Sequence, residues 1–218
     1  MMKVLAVSDQ EESLLGSPQI RERFGDTDVV LSCGDLPYTY MEYIAEMLPV
    51  PCLYVHGNHD HPLQLSNGTT LHKPGGWHNV DGTTMRLKNG WIIGGLEGCL
   101  RYRPYVPYQY SEIELRHKIS HMTLSMLRNR LFYGRYIDIL ITHAPPSGLH
   151  DGKDASHQGF KALLRFMERF HPRYLLHGHH HRIGIQKWHT TYQGTEVINI
   201  FPYRTLEFGR TQADKDAG

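Results

Sequence analysis

The sequence predicts an α/β fold with two sheets and helices on the outside. Short apolar, β-rich runs alternate with amphipathic helical patterns, the signature of layered α/β architecture. Two further groups of strands look antiparallel and stand apart from that series. The chain has 218 residues, 40% hydrophobic and 21% charged, long enough to bury a sizeable core. We read residues 1–210 as a single domain and 211–218 as a polar tail.

The elements follow in order. Lys3–Ser8 (KVLAVS), Asp28–Cys33 (DVVLSC), Pro51–His56 (PCLYVH), Tyr136–Thr142 (YIDILIT) and Arg173–Gly178 (RYLLHG) read as five buried strands. Tyr40–Leu48 reads as a helix that stops before Pro49. Ser111–Leu131 opens with Ser111 and Glu114 in capping-box spacing. Ser156–Phe170 places Phe160, Leu163, Leu164, Met167 and Phe170 on one helical face. Thr83–Leu96 is a hairpin with Asn89-Gly90 at its turn, and 184–209 reads as strands with a turn near Gly194. Arg101–Tyr110, rich in Tyr and Pro, reads as an ordered loop.

Composition narrows the function. Net charge is +1, which argues against long nucleic acid as a partner. No apolar run reaches the length of a membrane span. Cys33, Cys52 and Cys99 have no CxxC spacing, which argues against a cysteine zinc site or a disulfide framework. The N-terminal MMKVLAVSDQ has no signal-peptide apolar core, so a reducing cytoplasm is the expected compartment. The outlier is 16 histidines. His72, His78, His117, His121 and His189 lack ligand spacing and read as scattered surface or packing residues.

The other histidines follow strands. The five strands are followed in turn by Asp9, by Gly34-Asp35, by Gly57-Asn58-His59-Asp60, by His143, and by Gly178-His179-His180-His181. In α/β sheets, ligands bind at the carboxyl ends of strands. Polar charge at five such ends is costly unless paired or metal-bound. Carboxylates and imidazoles suit first-row divalent ions, and a pair of ions needs a bridging carboxylate, for which Asp35 is the candidate. In extended backbone His179 and His181 point the same way, with His180 turned aside. Asn58 offers an amide oxygen without adding charge. His59 then stands beside the metals as a proton donor, with Asp60 holding its ring. His61 reads as a rim residue.

Together SDQEE (8–12), CGDL (33–36), GNHD (57–60), THAPP (142–146) and GHHH (178–181) resemble the ordered motifs of the calcineurin-like metallophosphoesterase superfamily. The resemblance implies a four-layer αββα sandwich with two mixed β-sheets and a dinuclear centre between their tops. It implies that Asp9, Asp35 and His181 hold the first metal and that Asp35, Asn58, His143 and His179 hold the second. His59 is implied as the proton donor. The family's first motif carries a histidine two residues after its aspartate, and here that position is Glu11, which we place near the first metal as an oxygen donor. Manganese is the first choice of ion, with iron, zinc, cobalt or nickel as alternatives.

The expected function is phosphodiester hydrolysis by a dinuclear metal-activated hydroxide with a histidine acid. The rival readings are a non-catalytic metal-binding scaffold of the same fold, and a phosphomonoesterase or protein phosphatase. The substrate and the oligomeric state are not legible. Two loops have a functional and a bland reading. Asp151, Asp154 and His157 either close over substrate or belong to a solvated loop, the latter preferred. Arg101 and Arg103 either reach a phosphate or are solvated.

Overall fold

The computed structural model describes residues 1–66, 68–181 and 187–209, so the tail expected at 211–218 lies outside the described residues. In chain order the elements are β1 (Met2–Val7), α1 (Gln19–Phe24), β2 (Val29–Ser32), α2 (Tyr38–Met47), β3 (Cys52–Tyr54), β4 (Leu63–Gln64), β5 (Thr70–Leu71), β6 (Trp77–Asn79), β7 (Thr84–Arg86) and β8 (Ile92–Leu96). They continue with β9 (Cys99–Leu100), β10 (Gln109–Tyr110), α3 (Glu112–Tyr133), β11 (Ile139–Thr142), α4 (Lys161–Phe170), β12 (Tyr174–His177), β13 (His189–Tyr192), β14 (Thr195–Asn199) and β15 (Tyr203–Phe208).

Two mixed sheets stack face to face. The first has the order β15-β1-β2-β3-β6, parallel except for β15. The second has the order β13-β14-β12-β11-β8-β7, parallel in its middle and antiparallel at both edges. Alternation along each strand sends its side chains to opposite faces. Val4, Leu31, Leu53, Ile93, Ile139, Leu176 and Ile198 meet between the sheets. Leu5, Val30 and Tyr54 face Ile20, Phe24, Met41 and Ile44 of α1 and α2. Leu140, Leu175 and Val197 face Met122, Met126, Phe166 and Phe170 of α3 and α4. Three apolar layers thus join four structural layers, helices–sheet–sheet–helices.

The helix ends follow local rules. The Ser111 hydroxyl accepts from the Glu114 N–H and the Glu114 carboxylate accepts from the Ser111 N–H, so the capping box closes α3 at its start. Gly134, at φ 72°, closes its end. The helix expected from Ser156 begins only at Lys161. Residues 156–160 pack instead on the loop after β11, where the Phe160 N–H donates to the Pro145 carbonyl at 3.1 Å and Ser147 N–H to the Phe160 carbonyl at 3.1 Å. That detour carries Ser156 to the sheet edge where the site is built.

Candidate metal centre

Five parallel strands, β1, β2 and β3 of one sheet and β11 and β12 of the other, end at the same edge. Asp9, Asp35, Asn58, His143 and His179 follow them directly. Asp9, Asp35, Asn58, His59, His179 and His181 line one cleft of about 240 Å³, and the buried His143 forms its floor.

The ring orientations of the two buried imidazoles are fixed by backbone carbonyls. His143 Nδ1 lies 2.8 Å from the Cys33 carbonyl, and His179 Nε2 lies 2.6 Å from the Ser156 carbonyl. A carbonyl only accepts, so each of these nitrogens carries a proton. The other nitrogen of each ring turns inward. His143 Nε2 is 2.9 Å from His179 Nδ1, 2.9 Å from Asn58 Oδ1 and 3.3 Å from Asp35 Oδ2. Asn58 is oriented by its Nδ2, which donates to the Tyr102 hydroxyl at 3.3 Å. One carboxylate oxygen of Asp35 and one nitrogen each of His143 and His179 lie within 4.8 Å of one another.

Four acceptor atoms therefore converge on a space that holds one proton at most. The electrostatics record the shortage of positive charge. Burial opposes a charge on His143, but the Asp35 carboxylate overrides it and raises the pKa to about 9. Burial, then the charge on His143, pushes His179 down to about 3. Burial works against ionisation of Asp35 as well, and the His143 charge wins, holding its carboxyl at about 2. A divalent cation satisfies all four acceptors where a proton satisfies one, and the carboxylate, amide and imidazole donors suit a first-row ion. The residues present fit a metal ion.

Asp9 and His181 face the same cleft from the other side. Both Asp9 carboxylate oxygens accept from the His179 N–H, at 3.1 and 3.0 Å, and the Ser8 hydroxyl donates to one of them. His181 Nε2 is 3.4 Å from Asp9 Oδ1, and its ring stacks on Phe201 with centroids 4.5 Å apart. The contact with Asp9 raises the pKa of His181, against its partial burial. The extended backbone expected for Gly178–His181 is not found. His179 has φ 63° and the His180 N–H turns back to the Gly178 carbonyl at 2.8 Å. His180 rests half-buried against His157, with centroids 5.1 Å apart.

Glu11 is not brought to the cleft. Asp9 has φ 67° and the Gln10 N–H returns to the Ser8 carbonyl at 2.8 Å, a tight turn that swings the chain away within two residues. Glu11 is exposed and lines a separate groove with Glu12, Ser13, Gly16, Thr39, Tyr40 and Tyr43. Asp60 also departs from the role expected for it. Its buried Oδ2 accepts from the Gly57 N–H at 2.8 Å and the Asp35 N–H at 3.1 Å, so it braces the backbone of the two loops and not the His59 ring. Burial, then the Asp35 charge, raises its pKa to about 6. His59 is exposed at the mouth, with its N–H donating to Asp35 Oδ1 at 2.8 Å.

Other residues complete the walls. Tyr102, Arg103, Ser156 and His157 line the cleft. Arg103 and His157 carry side-chain signals that the sequence offers. Ser156 contributes a backbone carbonyl, for which no residue type is diagnostic. Behind the GNHD loop, His56 Nδ1 contacts Glu97 Oε2 at 2.9 Å and its ring stacks on Tyr108 at 4.5 Å. Lys118 bridges Glu97 at 2.6 Å and Asp81 at 2.7 Å. This network anchors the residue that precedes Gly57.

The sequence model of the calcineurin-like phosphoesterase family matches residues 2–182. The chain belongs to that family. Its members are metal-dependent phosphoesterases, which accords with the donor set just described. Among solved structures, the protein TT1561 of Thermus thermophilus superposes with a TM-score of 0.61 at 18% identity, over 91% of this chain and 88% of its own. A second crystal structure superposes with a TM-score of 0.63 at 14% identity, over 95% of this chain and 99% of that one. Vacuolar Protein Sorting 29 from Cryptosporidium parvum aligns with a TM-score of 0.41 at 14% identity, over 91% of this chain and 73% of its own. The first two show that the same fold extends over almost the whole chain. Comparison with curated protein sequences finds no match.

Proposed function

We propose that this phosphoesterase hydrolyses phosphate diesters with two divalent ions, manganese first among them. The observation that carries the reading is the convergence of Asp35 Oδ2, Asn58 Oδ1, His143 Nε2 and His179 Nδ1 on a space with one proton to share. Bound divalent ions supply Lewis acidity toward phosphoryl oxygens and acidify a water to near-neutral pKa. Asp35, Asn58, His143 and His179 would hold one ion, and Asp9, Asp35 and His181 would hold the other.

The remaining residues act on the substrate. Arg103 brings a guanidinium to the cleft wall, where it pairs with an anionic phosphoryl group. His59, exposed at the mouth and tethered through its N–H to Asp35, donates a proton to the departing oxygen. Asp60 keeps the loop that carries His59 in register. The diester preference rests on space. A second groove of about 310 Å³ adjoins the cleft and shares Asp35 and His59 with it, so there is room for substituents on both sides of phosphorus.

The test is His59→Ala. Metal content by plasma emission spectrometry should match the unaltered protein. Turnover of methyl phenyl phosphate, whose phenolate needs a proton, should fall by about 100-fold or more. Turnover of bis(4-nitrophenyl) phosphate should fall less, because nitrophenolate departs unaided. Equal turnover of methyl phenyl phosphate by both proteins would refute the acid role.

A further inference from the structure

We infer that the groove beside His59 is the leaving-group subsite and that it takes a flat aromatic alcohol. This rests on the phosphodiesterase reading above and adds a direction and a substrate class to it. The groove is lined by Leu36, Pro37, Tyr38, Thr39, His61 and Leu63, together with His59, Asp35 and Asp60.

The direction follows from where the proton is. Phosphorus sits in the cleft that holds the candidate ligands. The proton donor must face the oxygen that departs, and His59 stands where the cleft meets the groove, so the group carried by that oxygen extends past His59 into the groove. Among the described residues, His59 and Asp35 are the two that line both cavities. In the step, water adds to phosphorus and the bond from phosphorus to the leaving oxygen breaks with its electron pair on that oxygen. The oxygen takes the His59 proton, and the proton released by the attacking water restores the balance. The alcohol is then formed in the groove.

The chemistry of the walls sets its class. The two carboxylates are turned to the loops: Asp35 Oδ1 accepts from His59 N–H, and Asp60 Oδ2 from Gly57 and Asp35 N–H. His61 Nδ1 is held on the His59 carbonyl at 2.8 Å. What remains toward the groove is the exposed Pro37 and the half-buried Leu63, with Thr39 and His61 at the surface beside them and the buried Leu36 and Tyr38 behind. Among the described residues no lysine or arginine lines it, whereas Arg103 lines the cleft. A second phosphate or a sugar finds few partners there. A planar ring packs against Pro37, Leu63 and the imidazole of His61.

The probes are methyl phenyl phosphate and methyl 2-naphthyl phosphate, whose leaving alcohols have similar acidity and differ by one ring. The manganese-loaded protein should cleave the naphthyl ester with about tenfold higher kcat/KM. Thr39→Trp fills the groove from an exposed position on the first turn of α2, and Leu63→Ala removes part of its wall. Both should erase the naphthyl preference, lowering kcat/KM for the naphthyl ester by about tenfold and for the smaller phenyl ester by less, with folding checked by circular dichroism. Metal-free protein should also bind 2-naphthol in saturation-transfer NMR, and Thr39→Trp should abolish that signal. Equal rates for the two esters, or a Thr39→Trp effect of the same size on both, overturns the subsite. If neither ester is cleaved while 2-naphthol still binds in a Thr39-dependent way, the aromatic groove stands and the diesterase reading falls. Loss of both cleavage and binding sinks the two together.

Discussion

Replacing Gly57 with alanine should break the site without replacing a ligand. A Cβ at this position lies 2.0 Å from Asp35 Oδ1 and 2.4 Å from Asp35 Cγ. Ordinary carbon contacts sit near about 3.5 Å, so the carboxylate or the loop must retreat by more than about 1 Å. Neither can do so freely. Asp35 Oδ1 holds the His59 N–H, while the Asp35 N–H and Gly57 N–H both bind Asp60 Oδ2. Over-packing costs about 1–3 kcal/mol, and losing a hydrogen bond to a charged group costs about 1.5–3 kcal/mol. We expect metal-free Gly57→Ala to lose about 3 kcal/mol in urea denaturation and to bind Mn²⁺ at least about 100-fold more weakly by calorimetry. Gly16→Ala, whose Cβ meets nothing closer than 3.5 Å, is the control and should change neither. A Gly57→Ala protein with unaltered stability and metal affinity would show that the Gly57–Asp35 contact does not shape the site.

Three further outcomes are expected. Glu11→Ala should leave Mn²⁺ affinity within about twofold, whereas Asp9→Asn should weaken it by at least about tenfold; calorimetry that reverses this order restores Glu11 as a ligand. Lys118→Met leaves Glu97 and Asp81 without their shared cation and should cost about 3 kcal/mol in chemical denaturation; a loss under about 1 kcal/mol shows the network to be dispensable. His143 has a folded-state pKa of about 9, above its unfolded value of 6.5. Its contribution to the stability of the metal-free chain is therefore fully present below about pH 6.5 and lost as pH rises through about 9. At pH 7.5 an entering cation should displace that proton, and calorimetry in buffers of different ionisation enthalpy should report release of about one proton. Metal uptake with no proton release would place the ion elsewhere.

The strand ends were readable because buried apolar runs stop abruptly at side chains that dislike burial. VLSCGD, LYVHGNHD and LITHA each pass from core to donor within two or three residues, a change that packing alone does not explain. The capping box of α3 and the Asn89-Gly90 hairpin were readable because local hydrogen bonding decides them. Glu11 misled because its position in the chain is that of a ligand, while its direction is set by the backbone angle of Asp9, which residue type does not reveal. Asp60 misled for a related reason. A carboxylate next to a histidine suggests a partner for the ring, yet two unpaired N–H groups of the loop capture it first. Ser156 was invisible as a participant, since its carbonyl is the group used. The start of α4 shifted to Lys161 because residues 156–160 find partners in the loop after β11, which periodicity does not register.

Three of the candidate ligands, Asp9, Asp35 and His179, stand in the left-handed region at φ 67°, 57° and 63°. Each such non-glycine residue costs about 1 kcal/mol or more. Glycine would relieve the strain but carries no donor atom, so the strain has to fall on the ligand. The chain places glycine beside these residues instead, where a side chain has no room. A Cβ on Gly178 would lie 1.9 Å from Ser8 Oγ and 2.3 Å from Asp9 Oδ2. Part of what holds the strained backbone is bonds that the ligand side chains themselves make. His179 N–H rests on the Asp9 carboxylate and His59 N–H on Asp35 Oδ1. The ligands thus secure one another's loops across the two sheets before any ion arrives. Loss of a single carboxylate is for that reason expected to disturb both its own coordination and the direction of a neighbouring imidazole.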